Sequence, residues 1–315
     1  MSEPIAFLGN LDPDEEAEFL AALATALPEE TFRPFRTLTP AERAAVRIAV
    51  VANPDPAEVA LLPNLAWIHS LWAGVERLVR DLGTGSAPIV RLVDPELART
   101  MAEAVLAWTY YLQRDMPAYR RQQEAATWRQ LPYRPPGEVG VGLLGLGALG
   151  SAAAERLVQA GFRVAAWSRA PKPVPVGVTG FSGPDGLAGL LAASDIVVCL
   201  LPLTGETRGL LDAGRFAAMK PGAGLINFGR GAIVETEALI AALDAGRVSH
   251  AVLDVFPVEP LPPDSALWRH PGVTVLPHIS GPTTPGSAAA VVAGNVRAYR
   301  ATGRIPAAVD VARGY

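Results

Sequence analysis

Three short stretches in the last third of the chain hold side chains that could share one piece of proton chemistry: Arg230 in "NFGRG", Glu259 in "LDVFPVEP" and His278 in "LPHIS". Imidazole changes charge near neutral pH, and a carboxylate beside it favours the charged form. A guanidinium grips a carboxylate or a developing oxyanion through paired N–H donors. Side by side, the three would make a general acid–base with a cationic clamp for an acidic substrate. Singly, each has a plainer reading. A lone histidine is often partly buried without chemistry, an arginine after a strand commonly ion-pairs at the surface, and a glutamate beside proline commonly sits in a turn. The other histidines, His69, His250 and His270, have no such partners in the pattern and read as structural, His69 with the further option of lining a cleft. No cluster of side chains has metal-ligand spacing, so no metal is expected.

Short apolar runs alternating with Ala- and Leu-rich segments could bring the three together, because that alternation marks βαβ units around a parallel sheet. From Val139 the expected strands are "VGVGLLG", "RVAAWS", "IVVCLL", "GAGLINF", "SHAVLDV" and "VTVLPH". Arg230, Glu259 and His278 then all follow the carboxyl ends of strands in one open sheet, the edge where ligands bind in such folds. The same edge carries "GLGALG", residues Gly145, Leu146, Gly147, Ala148, Leu149 and Gly150. After a strand and before a helix, this spacing suits a dinucleotide. The first glycine allows the turn, the second lets the backbone approach a pyrophosphate, and the third lets helix and strand pack closely. The next strand ends in Ser168 and Arg169, where an acidic residue would hold the ribose 2′-hydroxyl of NAD. Arginine there suits a 2′-phosphate instead, so NADPH is the expected cofactor, with NADH possible. Arg169 could alternatively point into solvent, and Lys172 could assist or be simply surface.

The 315 residues suggest about two domains. Half are hydrophobic and the formal net charge is −4, so large cores are expected and a basic surface for nucleic acid is not. The lone cysteine, Cys199, lies in an apolar run and reads as a small core hydrophobe. The opening "MSEPIAFLGNLDPDEE" lacks the basic and long apolar regions of a secretory signal, and a cytoplasmic location is expected. The most membrane-like stretch, residues 139–154, is short and broken by five glycines, so no membrane span is expected. Upstream, "IAFLG", "AVRIAVVAN", "LAWIHSL" and "PIVRLVD" read as strands of a small α/β domain. Residues 95–125 read as one long helix ended or bent by Pro117, "RQLPYRPPGE" as a connector, and "SAAAVVAGNVRAYRAT" as a final helix.

Five ordered blocks, "GLGALG", "CLLPLTGETRGLL", "MKPGAGLINFGRGAIVETEALIAAL", "AVLDVFPVEPLPPDSALW" and "VLPHIS", make the chain resemble the D-isomer-specific 2-hydroxyacid dehydrogenases along nearly its whole length. "SLWAGVE", the Ser-Arg pair and the closeness of "VEP" to "PHIS" are similar to the glyoxylate/hydroxypyruvate reductases of that family. Glu76 stands where the family more often has Asp.

The resemblance implies two Rossmann-like or flavodoxin-like α/β domains with a cleft between them, each a parallel sheet flanked by helices. Residues 1–98 with 286–315 would bind substrate, 99–285 the cofactor, and hinges would lie near 99 and 285. It implies NADPH-dependent reduction of a small 2-keto acid to the D-2-hydroxy acid. Arg230 would hold the substrate, His278 would be the acid–base, and Glu259 would sustain its charge. Trp72, Ala73, Gly74 and Val75 would meet the substrate. The glycine loop, Ser168, Arg169, Leu201, Pro202, Phe228, Gly229, Arg230, Asp254, His278 and Ser280 would meet the cofactor, with Asp254 receiving the nicotinamide carboxamide. A homodimer is implied, with the aromatic segment containing Trp108, Tyr110, Tyr111, Tyr119 and Trp128 as a candidate arm, though these rings could equally be core. The competing readings are the same chemistry on a bulkier 2-keto acid, or a dinucleotide-sensing protein without catalysis.

Overall fold

A computed structural model describes residues 3–83 and 85–311, so the first two residues and the last four, which bear on the terminal readings above, lie outside the described residues. The chain divides into two compact units: one comprises the stretch through Glu96 together with the chain from Thr283 onward, and the other Leu97–Pro282.

The first unit contains β1 (Ile5–Gly9), α1 (Pro13–Ala26), β2 (Phe32–Pro34), α2 (Pro40–Ala45), β3 (Ile48–Ala52), α3 (Pro56–Ala60), β4 (Trp67–Ser70), α4 (Glu76–Leu82) and β5 (Ile89–Val90). Its five strands pair in parallel in the order β2-β1-β3-β4-β5. The side-chain period of two splits β3 between two cores: Ile48, Val50 and Ala52 pack on one face, Ala49 and Val51 on the other. A strand buried on both faces reads as the continuous apolar run seen in the sequence.

The second unit opens with α5 (Pro95–Gln113, its first two residues in unit one) and α6 (Met116–Glu124). There follow β6 (Gly140–Leu144), α7 (Ala148–Gln159), β7 (Arg163–Ser168), β8 (Val178–Ser182), α8 (Gly183–Ala193), β9 (Ile196–Cys199), α9 (Ala213–Ala218), β10 (Ala223–Asn227), α10 (Thr236–Asp244), β11 (Val248–Leu253) and β12 (Val273–Val275). The last helix, α11 (Pro285–Thr302), belongs to the first unit and packs on α1. All pairings of the seven-stranded sheet are parallel, in the order β12-β11-β10-β9-β6-β7-β8. From β6 the chain runs outward through β7 and β8, then returns to β9 on the other side of β6. That reversal is the switch point at which α/β sheets hold their ligands. Cys199 is fully buried among apolar neighbours, and burial pushes its thiol up to about 12. Among the described residues no helix is long and apolar enough to cross a membrane.

Two expectations need correction. The helix over 95–125 breaks at Asp115, which adopts the left-handed conformation with φ +53°, and not at Pro117. Pro117 falls in the first turn of α6, where a missing N–H costs nothing. Strands β2 and β8 were absent from the reading: β2 has three residues, and β8 has two exposed ones in its middle. The aromatic segment divides. Trp108 and Tyr111 pack on the core with ring centroids 5.0 Å apart, and Tyr110 lies 5.3 Å from Phe162. Trp128, by contrast, is 99% exposed.

Candidate active site

Every candidate residue of the second unit follows the carboxyl end of a strand. The glycine loop follows β6, Ser168–Arg169 closes β7, and Leu201–Pro202 follows β9. Phe228–Arg230 follows β10, Asp254–Glu259 follows β11, and Pro277–Ser280 follows β12. Backbone bonds extend the ladder past the strand ends: Leu200 N–H donates to Leu144 O at 2.8 Å, Phe228 N–H to Cys199 O at 3.0 Å, Asp254 N–H to Asn227 O at 3.1 Å and Leu276 N–H to Leu253 O at 2.9 Å. The loops therefore leave the sheet in register along one edge.

In the glycine loop, Gly145 takes φ +103°, a conformation side chains resist. A Cβ on Gly150 would come 2.0 Å from the Gly145 carbonyl oxygen, so only glycine lets α7 sit this close to β6. Gly147 caps α7, and a Cβ there would meet nothing within 4 Å. The open space lies beside the unpaired first-turn N–H groups of a 12-residue helix, which suits an anionic pyrophosphate. Leu146, Leu201 and Phe228 bury their side chains in the cores, so at this edge they offer backbone only. Ala148 is exposed and Leu149 half-buried.

Past β7, Ser168 Oγ donates to Ala170 O at 2.8 Å and tightens the turn that presents Arg169. The Arg169 guanidinium pairs with Glu206 at 2.6 Å, so it does not simply face solvent. Lys172 Nζ reaches the Leu146 carbonyl in the glycine loop, which ties this surface lysine to the motif. Neither contact was apparent from the sequence, because each joins loops that follow different strands.

The acid–base candidates meet directly. His278 Nδ1 lies 2.8 Å from Glu259 Oε2. An ionised carboxylate only accepts, so Nδ1 donates and Nε2 is left as the nitrogen that can gain and lose a proton. The hydrogen bond to Glu259 holds the imidazolium above its ordinary value of 6.5. Burial opposes it, the charges of Glu259 and Asp254 reinforce it, and Arg230 opposes it. For Glu259, burial disfavours the charge, yet the bonds from His278 and from Phe256 N–H, aided by the charges of His278 and Arg230, hold its carboxyl below the usual range.

His278 adopts φ +56°, unusual for a side-chain-bearing residue and costing on the order of 1–3 kcal/mol. Asp254, 1% exposed, fixes that turn: its two oxygens accept Ile279 N–H at 2.7 Å and Ser280 N–H at 2.9 Å. The residue expected to receive a carboxamide thus also holds the histidine loop. Ser280 Oγ is buried without a hydrogen-bond partner, a polar atom that a bound ligand could satisfy.

Arg230 is set by two neighbours that sequence reasoning passed over. Asn227, 1% exposed, accepts Gly229 N–H at 3.2 Å and donates Nδ2–H to Arg230 O at 3.1 Å. Its signal was an amide closing an otherwise apolar strand. A Cβ on Gly231 would lie 1.9 Å from the Phe256 carbonyl carbon, so the loop after β10 lies directly on the loop after β11. Arg230 itself is half-buried and donates Nη1–H to Gly229 O at 2.7 Å.

The remaining histidines each bond at least one neighbour in the fold. His69 is fully buried, with Nδ1 donating to Ser70 O at 2.8 Å and Nε2 accepting from Asn295 Nδ2 at 2.9 Å, and burial lowers it to about 4. His250 bonds Thr274 Oγ1 at 2.8 Å and is lowered by burial to about 4. His270 bonds Asp244 at 3.2 Å. In the first unit, Ala73 and Gly74 are half-buried and Val75 is buried. Trp72 sets its ring edge-on to Phe19 at 6.1 Å, with its indole N–H buried and unpartnered.

Residues 106–280 match the family model described as "D-isomer specific 2-hydroxyacid dehydrogenase, NAD binding domain". The chain is 36% identical to a glyoxylate/hydroxypyruvate reductase A of Serratia proteamaculans, covering 95% of this chain and 96% of that protein. It resembles the structure of a D-isomer specific 2-hydroxyacid dehydrogenase from Xanthobacter autotrophicus Py2 in complex with NADPH and MES, at 40% identity, TM-score 0.92 and full coverage of both chains. It also resembles an NADPH-dependent glyoxylate/hydroxypyruvate reductase from Sinorhizobium meliloti in complex with NADP and sulfate, at 31% identity, TM-score 0.91 and full coverage of both chains.

Proposed function

The chain belongs to the D-isomer-specific 2-hydroxyacid dehydrogenase family, and from that premise we propose that it is an NADPH-dependent reductase of small 2-keto acids of the glyoxylate/hydroxypyruvate type. The observation that carries the reading is the 2.8 Å His278–Glu259 pair on the sheet edge that also bears the glycine loop. Gly145–Gly150 and the α7 N-terminus would hold the pyrophosphate, and Arg169 with Ser168 the 2′-phosphate. Backbone at Leu201, Pro202, Phe228 and Gly229, with Asp254 and Ser280, would flank the nicotinamide. The bound cofactor supplies hydride from its nicotinamide. His278 delivers a proton from Nε2 to the keto oxygen, Glu259 keeps that proton loaded, and Arg230 holds the substrate carboxylate and stabilises the developing alkoxide. The Trp72–Val75 segment is proposed as a further substrate contact.

The test is a kinetic panel of glyoxylate, hydroxypyruvate, pyruvate and phenylpyruvate, each with NADPH and NADH. Turnover is expected with NADPH and with glyoxylate and hydroxypyruvate. Preference for phenylpyruvate would favour the bulkier-substrate reading. NADPH binding without turnover of any acid would favour the sensing protein and overturn the reductase.

A homodimer is proposed on the exposure of Trp128 and Tyr133, 99% and 62%. Light scattering that gives a monomer at micromolar concentration would reject it. The buried lone thiol suits a reducing cytoplasm, which fractionation would check.

A further inference from the structure

The ion pair between Arg169 and Glu206 is unusual in its placement. Arg169 follows β7 and Glu206 lies in the loop after β9. These strands flank β6 on either side, so the 2.6 Å pair joins the two loops that border the glycine loop. The partners lie 37 residues apart in sequence. Glu206 sits in a turn braced by Thr204 and Thr207, with Thr207 Oγ1 donating to Pro202 O at 2.7 Å. Lys172, two residues beyond Ala170, is drawn toward the glycine loop through the Leu146 carbonyl. Two cations and one anion therefore stand where the sheet edge would receive the adenosine end of a dinucleotide.

We propose that Glu206 is a specificity-determining residue: an internal anion that occupies Arg169 in the free protein and that the 2′-phosphate of NADPH must displace. The proposal rests on the reading of Arg169 as the 2′-phosphate ligand. A phosphate arriving at Arg169 loses part of its gain in two ways. It breaks an existing charge-assisted bond, and it stands beside a carboxylate of like sign. NADH brings no such anion and leaves the pair intact. Glu206 thus moderates the preference for NADPH that Arg169 creates. Both side chains are about half or more exposed, 51% and 67%, so the effect is modest and salt-sensitive.

The experiment measures dissociation constants of NADPH and NADH by nucleotide fluorescence, without substrate, for the unsubstituted protein, E206Q, E206A, R169A and the double variant R169A/E206Q. E206Q and E206A are expected to tighten NADPH about two- to tenfold at low ionic strength, with the gain shrinking at high salt. The NADPH-to-NADH affinity ratio should rise accordingly, and the gain should shrink when Arg169 is absent. Unchanged NADPH affinity in both Glu206 variants, or an equal change with both cofactors, overturns the proposal. Its failure is separable from that of the parent reading. If R169A weakens NADPH selectively while Glu206 variants do nothing, Arg169 is the phosphate ligand and Glu206 is not its competitor. If R169A weakens both cofactors equally, the parent reading falls and this one with it.

Discussion

Asparagine in place of His278 is expected to lower keto-acid turnover by about 10²–10⁴-fold, the usual cost of losing a general acid. Asparagine is the informative substitution for two reasons. It can still donate to Glu259, and it tolerates the left-handed backbone that His278 adopts at φ +56°, so the loop held by Asp254 need not move. It has no proton to deliver. NADPH affinity and melting temperature should stay near those of the unsubstituted protein. The pH dependence carries a sign. The hydrogen bond to Glu259 raises His278 above 6.5, so the acid form persists to higher pH than in an unpaired imidazole, and reduction should hold below the raised value and fall as pH climbs through it. Oxidation of the 2-hydroxy acid needs the neutral imidazole and should rise over the same interval. Glu259→Gln leaves Nδ1–H a neutral acceptor in place of a charged one, which weakens the hydrogen bond and removes the carboxylate charge while sparing the imidazole, so its limb should move to lower pH with a smaller loss of rate. Near-normal turnover by folded His278→Asn would reduce the histidine to a loop residue.

How much of this was legible depended on whether a feature is forced locally. The glycine loop could be read because two of its three glycines answer a backbone demand, Gly145 through a positive φ and Gly150 through a 2.0 Å approach. The central strands could be read because burial on both faces demands an unbroken apolar run, as in Ile196–Cys199. The break between α5 and α6 could not. An aspartate in the left-handed conformation leaves little trace, whereas Pro117, the obvious breaker, is harmless in a first turn. Edge strands such as Val178–Ser182 have little burial to enforce a pattern. Arg230, Glu259 and His278 stood out as residue types in ordered blocks. The groups that set their geometry and charge, Asn227 and Asp254, work through backbone N–H groups that a sequence does not display. Glu206 escaped notice for a related reason. Its meaning lies in a contact with Arg169 created only when β7 and β9 are placed on either side of β6.

The second large effect is expected at Arg230. Replacing it with glutamine should lower kcat/KM by about 10²–10³-fold, the range seen when one donor to a developing oxyanion is lost. The loss should fall on both KM and kcat, since the guanidinium is proposed to hold the substrate carboxylate before reaction and the alkoxide during it. Lysine keeps the charge but not the planar fork, so Arg230→Lys should recover only part of the loss. The clamp of Asn227 and the close packing of Gly231 on Phe256 fix the backbone at this position independently of the side chain. Both variants should therefore melt near the temperature of the unsubstituted protein. The pH profile separates this role from simple structural support. The charge of Arg230 opposes protonation of His278, so glutamine should let the imidazolium persist to higher pH. The reductive limb should then move upward, opposite in direction to the Glu259→Gln shift, whereas lysine should leave it nearly in place. A glutamine variant with a limb at its original pH and less than tenfold loss of kcat/KM would place Arg230 outside the reacting centre.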